Sequence, residues 1–273
     1  MLQAPMPHSL ELTTALRAAE RAGEIARALY RHNLEVTVKA DKSPVTEADV
    51  RCEQAIREVL EERFPTYGFY GEETGRRDVS AESVWLVDPI DGTKAFIREY
   101  PLFSTQIALL RAGRIVLGVS SAPVFGELAW AERGRGDEAA GGGGGEAYLN
   151  GQPIRVSEVD SLERATISSG NLQSLTRGPS WSRYGALIRR VSRSRGYGDF
   201  LHYHLLAAGR IDAVLESDVN ILDIAACVAI VTAAGGSFTD LAGGPVTLET
   251  TSVLATNGLM HASILEALRA DEK

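Results

Sequence analysis

Six carboxylates in this chain stand where an apolar run breaks off or a helical pattern begins: Asp49, Glu72, Glu73, Asp88, Asp91 and Asp223. Oxygen donors without a companion cluster of His or Cys select hard cations such as magnesium over zinc or iron. The sharpest pattern lies in WLVDPIDGTKAFI, Trp85 to Ile97. There Asp88 and Asp91, with Pro89 between them and Gly92 after them, can converge on one cation. The amides of Gly92 and Thr93, at what reads as a helix start, can receive an anion. A cation site beside an anion site suggests phosphate chemistry. The chain has no G-x-S-x-G elbow and no Cys–His pairing by spacing, so a metal-activated water is the nucleophile for which it carries parts.

Elements from several parts of the chain must bring these groups together. The apolar run Trp85–Val87, its abrupt break and the resumption at Ala95–Ile97 predict a strand, a sharp loop and a helix start. Ahead of it, Ser9 opens a pattern of Leu12, Leu16, Ala19, Ile25, Ala26 and Leu29 that predicts a packing helix to about His32, and Val36 to Lys39 reads as a strand. Thr46 and Asp49 have capping-box spacing, with Ala55, Ile56, Val59 and Leu60 as the buried stripe behind them, so Asp49 reads as a helix cap as readily as a reactive group. Tyr67 to Thr74 reads as a short strand running out into Glu72 and Glu73, a pair that solvation alone could explain. Two apolar strands then flank Ala112-Gly113-Arg114, and a third runs from Glu127 to Glu132, which predicts an antiparallel sheet.

An Asn150-Gly151 hairpin signal introduces alternating strands and helices. A strand is predicted at Ala165–Ser169, helices from Trp181 to about Arg193 and from Asp199 to Ala208, and a strand at Ile211–Glu216. Small and apolar residues from Ile224 to Ala234 surround the next helix on every side until Gly235-Gly236 stop it, so it must be buried. Asp223 at its N-terminus reads first as a cap. The pattern divides the chain into an α+β part, residues 1–147, and an α/β part, residues 148–273.

With 273 residues, 44% of them hydrophobic, the chain can build a substantial core. A formal net charge of −8 without a basic tract argues against nucleic acid or an anionic membrane as partner. No apolar run reaches the roughly 18 residues of a membrane span, and MLQAPMPHSLEL lacks a basic segment followed by an apolar one, so a cytoplasmic location is expected. Cys52 and Cys227 read as buried reduced thiols. His202 and His204, two apart on a helix, point in different directions and read as packing or surface residues. Gly141 to Gly145, with no Lys-Ser/Thr after them, read as a linker and not as a phosphate-binding loop.

GEE at Gly71–Glu73, DPIDGT at Asp88–Thr93 and the helix start Asp223-Ile224-Ala225-Ala226 together resemble the three signature segments of the inositol monophosphatase family, in order and over nearly the whole chain. Within it, DGTKAFI, Pro101 to Leu109, GYGDF at Gly196–Phe200 and ATNG at Ala255–Gly258 look most like the branch that hydrolyses L-histidinol phosphate in histidine biosynthesis. The resemblance implies a layered, alternating α/β sandwich with α+β and α/β parts, commonly a homodimer, acting on a small phosphorylated metabolite with two to three Mg2+ ions. It further implies that Glu72, Asp88 and the Ile90 carbonyl hold one ion, Asp88, Asp91 and Asp223 a second, and Glu72 a third. Glu73 would help through a water. Asp49 and Thr93 would orient the attacking water, and Asp91, Gly92 and Thr93 would meet the phosphate.

Asp199 and Glu216 are the candidates for substrate recognition, Asp199 also reading as an N-cap. Glu216 stands seven residues before Asp223, where inositol-specific relatives place a glutamate. Many relatives carry Trp where this chain has Leu222. The alternatives are an inositol-1-phosphate phosphatase, a 3'(2'),5'-bisphosphate nucleotidase and a non-catalytic scaffold.

Overall fold

The computed structural model of the chain describes residues 8–32, 36–38, 44–133, 145–178 and 181–269. Its first helix begins where the Ser9 hydroxyl accepts the Leu12 amide at 3.0 Å, satisfying a donor the helix itself leaves unpaired. This helix, α1 (Leu10–Leu29), is followed by a hairpin of β1 (Val36–Val38) and β2 (Pro44–Thr46), and by α2 (Glu47–Arg63). Next come β3 (Gly68–Gly71), β4 (Gly75–Arg77), β5 (Ser83–Asp91) and the short α3 (Thr93–Ile97). Strands β6 (Ser104–Arg111), β7 (Arg114–Ala122), β8 (Glu127–Arg133), β9 (Gly145–Leu149) and β10 (Gln152–Ile154) complete the first half. The second half runs through β11 (Thr166–Ser169), α4 (Leu172–Leu175), α5 (Trp181–Ile188), β12 (Arg193–Arg195) and α6 (Asp199–Ala207). It ends with β13 (Ala213–Ser217), α7 (Ile221–Ala233), β14 (Ser237–Thr239), β15 (Ser252–Thr256) and α8 (His261–Arg269).

Eight strands in the order β10-β9-β8-β7-β6-β5-β3-β4 form one sheet, antiparallel except that β3 lies parallel to β5. Alternation along β5 assigns its faces: Trp85 and Val87 pack with Leu12, Ala15, Ile56 and Leu60 of α1 and α2, whereas Val84 and Leu86 pack with Ile224, Cys227 and Ile230 of α7. A second sheet, β12-β11-β13-β15-β14, repeats the arrangement. Val214, Val253 and Ala255 join the core around α6 and α7, while Ala213, Leu215 and Leu254 pack with Leu187, Ile264 and Leu268 of α5 and α8. The layers therefore alternate helix, sheet, helix, sheet, helix, and α7 lies between the sheets as its uniform apolarity requires. A Cβ on Gly118 of β7 would stand 2.4 Å from the Ala226 carbonyl oxygen, so this glycine lets helix and sheet touch.

Two local expectations change. The strand does not stop at Val87 but carries Asp88 to Asp91 within β5, shifting register against β6 between those two residues. Pro89 has no N–H to give a ladder, and a bulge is where a strand tolerates it. The helix expected to reach Arg193 ends at Ile188, because Arg193–Arg195 pair in parallel with Thr166–Ser168 as an edge strand. The division near residue 147 falls inside β9, which with β10 belongs to the first sheet. Lys39 and Gly141–Gly144 lie outside the described residues. Both cysteines are buried and free. Among the described residues no helix is long and apolar enough to cross a membrane.

Candidate functional site

In an unbroken strand, residues three apart face opposite sides of the sheet, so Asp88 and Asp91 could not meet. The bulge cancels that. It is held by the Ile90 amide, which donates to Asp88 Oδ1 at 3.0 Å, and by the Thr105 hydroxyl, which donates to the Pro89 carbonyl at 2.9 Å. Asp88, Asp91 and Asp223 consequently each offer a carboxylate oxygen within 4.8 Å of one another. Gly92 turns the chain into α3 at φ 90°, and a Cβ there would lie 2.6 Å from the Leu102 carbonyl oxygen, so no other residue fits this corner unstrained.

Asp49 and Asp223 both close capping boxes, as one reading expects, and both also face the carboxylate site. Asp49 Oδ2 accepts the Thr46 amide at 2.8 Å and hydroxyl at 2.6 Å, closing a capping box, while Oδ1 accepts the Thr93 hydroxyl at 3.1 Å. The same hydroxyl lies 3.0 Å from the Ile90 carbonyl. Asp223 takes the Asn220 amide on Oδ2 at 3.0 Å and the Asn220 side chain on Oδ1 at 2.7 Å, and still belongs to the triad. Glu72 and Glu73 follow β3 in a turn fixed from below by Glu53. This fully buried carboxylate accepts the amides of Glu73 at 2.8 Å and Thr74 at 2.7 Å, and a Cβ on Gly71 would collide with it.

Electrostatically the cluster is under load. Burial, then the charges of Glu72, Asp91 and Asp223, push the Asp88 carboxyl well above its ordinary range. Burial, then Asp199, Asp223 and Glu216, do the same to Asp91. Asp223 is raised to about 6, chiefly by burial, and Asp49 is raised by burial against the pull of Thr46 and Thr93. Carboxylates gathered so closely are stable together only if protonated or neutralised by a cation, and an all-oxygen set suits a hard divalent ion. The residues present therefore fit such an ion.

Asp199 and Glu216 also gather at this site, since both act on Asp91 through charge. Asp199 opens α6 at a positive φ of 46°, and its carboxyl is raised to about 6 by burial and by Glu216. Glu216 behaves oppositely: burial raises it, but the charge and hydrogen bond of His202 at 3.0 Å and the Tyr203 hydroxyl at 2.7 Å bring it below the usual range. A Cβ on Gly170 would overlap Glu216, so the carboxylate is cradled on that side as well. His202 and His204 are both buried, not on the surface, and do diverge, His202 toward Glu216 and His204 toward Glu127. Sequence reasoning missed Glu53, His202, Tyr203 and Ser104 as supports. A hint was available for Ser104, which alternates with Gln106 on the face of β6 beside Asp91. Leu222 is buried in the core between the sheets.

The carboxylate cluster, with Asp88 buried and Asp91 and Asp223 half-buried, can hold a hard ion, and together with the family match it places the chain among metal-dependent phosphatases. Residues 9–273 match the model of the inositol monophosphatase family, and the chain belongs to that family. It is 39% identical over 263 residues to the histidinol-phosphatase of Mycobacterium tuberculosis, covering 95% of this chain and 98% of that protein. It is 34% identical over 265 residues to the inositol-1-monophosphatase of Caulobacter vibrioides, covering 92% and 99%. The crystal structure of extragenic suppressor protein suhB from Bartonella henselae superposes with a TM-score of 0.83 at 31% identity, covering 97% of this chain and all of that one.

Proposed function

We propose that this phosphatase is magnesium-dependent and hydrolyses L-histidinol phosphate to L-histidinol and phosphate, a step of histidine biosynthesis. The observation that carries the reading is Asp199, a carboxylate within electrostatic reach of Asp91 and Glu216; Glu216 alone does not discriminate, since inositol-specific relatives place a glutamate there. An ammonium group gains from an anionic partner in a way a polyol hydroxyl does not. Glu216, held ionised by His202 and Tyr203, supplies a fixed charge, and Asp199 at the mouth of α6 a second. The similarity to the M. tuberculosis histidinol-phosphatase supports the same substrate.

In this reading Glu72, Asp88 and the Ile90 carbonyl hold one Mg2+, Asp88, Asp91 and Asp223 a second, and Glu72 a third, with Glu73 acting through water. Ions held there would supply positive charge, which would acidify an attacking water and offset charge on the leaving ester oxygen. Thr93, donating its hydroxyl proton to Asp49, keeps its lone pairs for the water and orients it. Asp49, made more basic by burial, accepts the proton through that hydroxyl. The amides of Gly92 and Thr93 receive the phosphate, with Asp91 alongside. The working assembly is the homodimer the family resemblance implies, in the cytoplasm.

Phosphate release with magnesium, offering L-histidinol phosphate and myo-inositol 1-phosphate at matched concentration, tests the reading. A preference of tenfold or more for histidinol phosphate, about 1.4 kcal/mol in the transition state, is expected. The reverse preference would move the chain to the inositol phosphate reading, which the 34% identical C. vibrioides relative favours. Asp199→Ala should raise KM for histidinol phosphate by about 10-fold or more, the worth of a charge-assisted contact, and leave inositol phosphate nearly unaffected. Equal effects on both would remove Asp199 from recognition.

A further inference from the structure

A line of buried polar side chains runs from Asp91 across β6 and β7 to β8, on the face of the first sheet that packs against α6 and α7, and the chemistry above uses none of it beyond its first link. Ser104 Oγ donates to Asp91 Oδ2 at 3.3 Å. Gln106 Nε2 donates to Ser104 Oγ at 2.7 Å and to Ser120 Oγ, its cross-strand neighbour, at 3.0 Å. Ser120 Oγ lies 2.8 Å from His204 Nε2, and His204 Nδ1 lies 2.8 Å from Glu127 Oε2. Ser104, Gln106, Ser120 and His204 are each no more than 1% exposed.

The direction of every bond follows from the two ends. Glu127 is held as a carboxylate by the His204 hydrogen bond, so it accepts and His204 Nδ1 carries the hydrogen. Burial keeps His204 neutral, so its Nε2 accepts from the Ser120 hydroxyl. Ser120 in turn accepts from Gln106, whose other amide hydrogen goes to Ser104, whose hydroxyl goes to Asp91. The amide donates both ways, so no proton can pass along the line. What it can transmit is orientation, because each hydroxyl has one proton and turning any member unpairs its neighbour in a dry interior.

We propose that Glu127 and His204 are positioning residues for Asp91, fixing its carboxylate for ion binding through Ser120, Gln106 and Ser104. Losing the Glu127 acceptor frees His204 to adopt the other tautomer. Its Nε2–H then donates to Ser120, Ser120 loses its acceptor, and the register of donors up to Ser104 is no longer unique. This rests on the reading of Asp91 as a metal ligand.

The test is calorimetric titration of Mg2+ into the full-length protein, with thermal unfolding of the metal-free form measured alongside. Glu127→Ala should weaken magnesium binding about tenfold, the low end of what outer hydrogen-bond partners of metal ligands contribute. Glu127→Gln, which keeps an acceptor oxygen, should restore affinity to within about twofold of the parent on the same scale. Ser120→Ala severs the line by removing a single oxygen and should match Glu127→Ala, which also serves if that variant fails to fold. Parent-like affinity in folded Glu127→Ala and Ser120→Ala, with only the unfolding temperature lowered, would leave the network a packing device and overturn the inference. Asp91→Asn separates the two readings: if it loses binding while those variants keep it, only the positioning role falls, whereas undiminished binding in Asp91→Asn removes the ligand reading beneath it.

Discussion

Asp49 divides its two oxygens between tasks, one closing the cap of α2 with Thr46 and one receiving the Thr93 hydroxyl. An asparagine has a single acceptor oxygen and can do only one of these. Asp49→Asn is therefore expected to lower kcat by about 10^2 to 10^4, the usual worth of a proton-accepting group, while urea unfolding shifts by only about 1 kcal/mol. A large loss of stability with retained turnover would reverse the order of the two roles. Asp223 invites a different measurement. Its folded pKa stands at about 6 against an ordinary 3.8, so the native state binds the extra proton between those values and loses stability as pH rises through them. Asp223→Asn mimics the protonated form at every pH. Without metal, the variant should gain on the parent as pH climbs from about 4 to about 6, by up to roughly 2 kcal/mol after solvent screening, and stay ahead above that.

At the scale of elements, β5 and α7 carry the triad; Val84 and Leu86 pack β5 against α7, and the close contact of Gly118 on the neighbouring β7 sets how near that helix lies to the sheet. Gly118→Ala would force α7 off β7 or distort both. It should cost about 1–3 kcal/mol as an overpacked core does, and also weaken magnesium binding, although no ligand is altered. Paired melting and titration experiments would see both losses, and a stability loss alone would mean that α7 yields elsewhere. The same elements show what a sequence can and cannot carry. The burial of α7 and the Ser9 cap of α1 were legible because periodicity and capping are local. Asp49 and Asp223 looked like caps and are caps, and their meeting with Thr93 and Asp88 became visible only in three dimensions or through family resemblance. The bulge in β5 was misread as a loop because Pro89 and Gly92 announce a break without saying that pairing continues across it. The end of α5 was misplaced because the pairing of Arg193–Arg195 with β11 is non-local and overrides a helical pattern.

For the whole molecule, a buried set of like charges makes stability depend on what neutralises it. Magnesium bound as proposed would compete with protons for the same oxygens, so the rise in unfolding temperature on adding magnesium should be large near pH 7.5 and shrink near pH 5, with about 2.7 kcal/mol expected at one hundred times Kd. An equal rise at both values would mean that the ion binds elsewhere. The triad also straddles the chain: Asp88 and Asp91 fall early, whereas Asp223 rides on the helix laid between the two sheets. A nascent polypeptide can pair most of its first sheet before residue 223 has left the ribosome, yet it has no third carboxylate to complete the cluster. In the proposed reading the ion site is complete only once residue 223 has emerged, and a nascent chain shorter than that is a silent one.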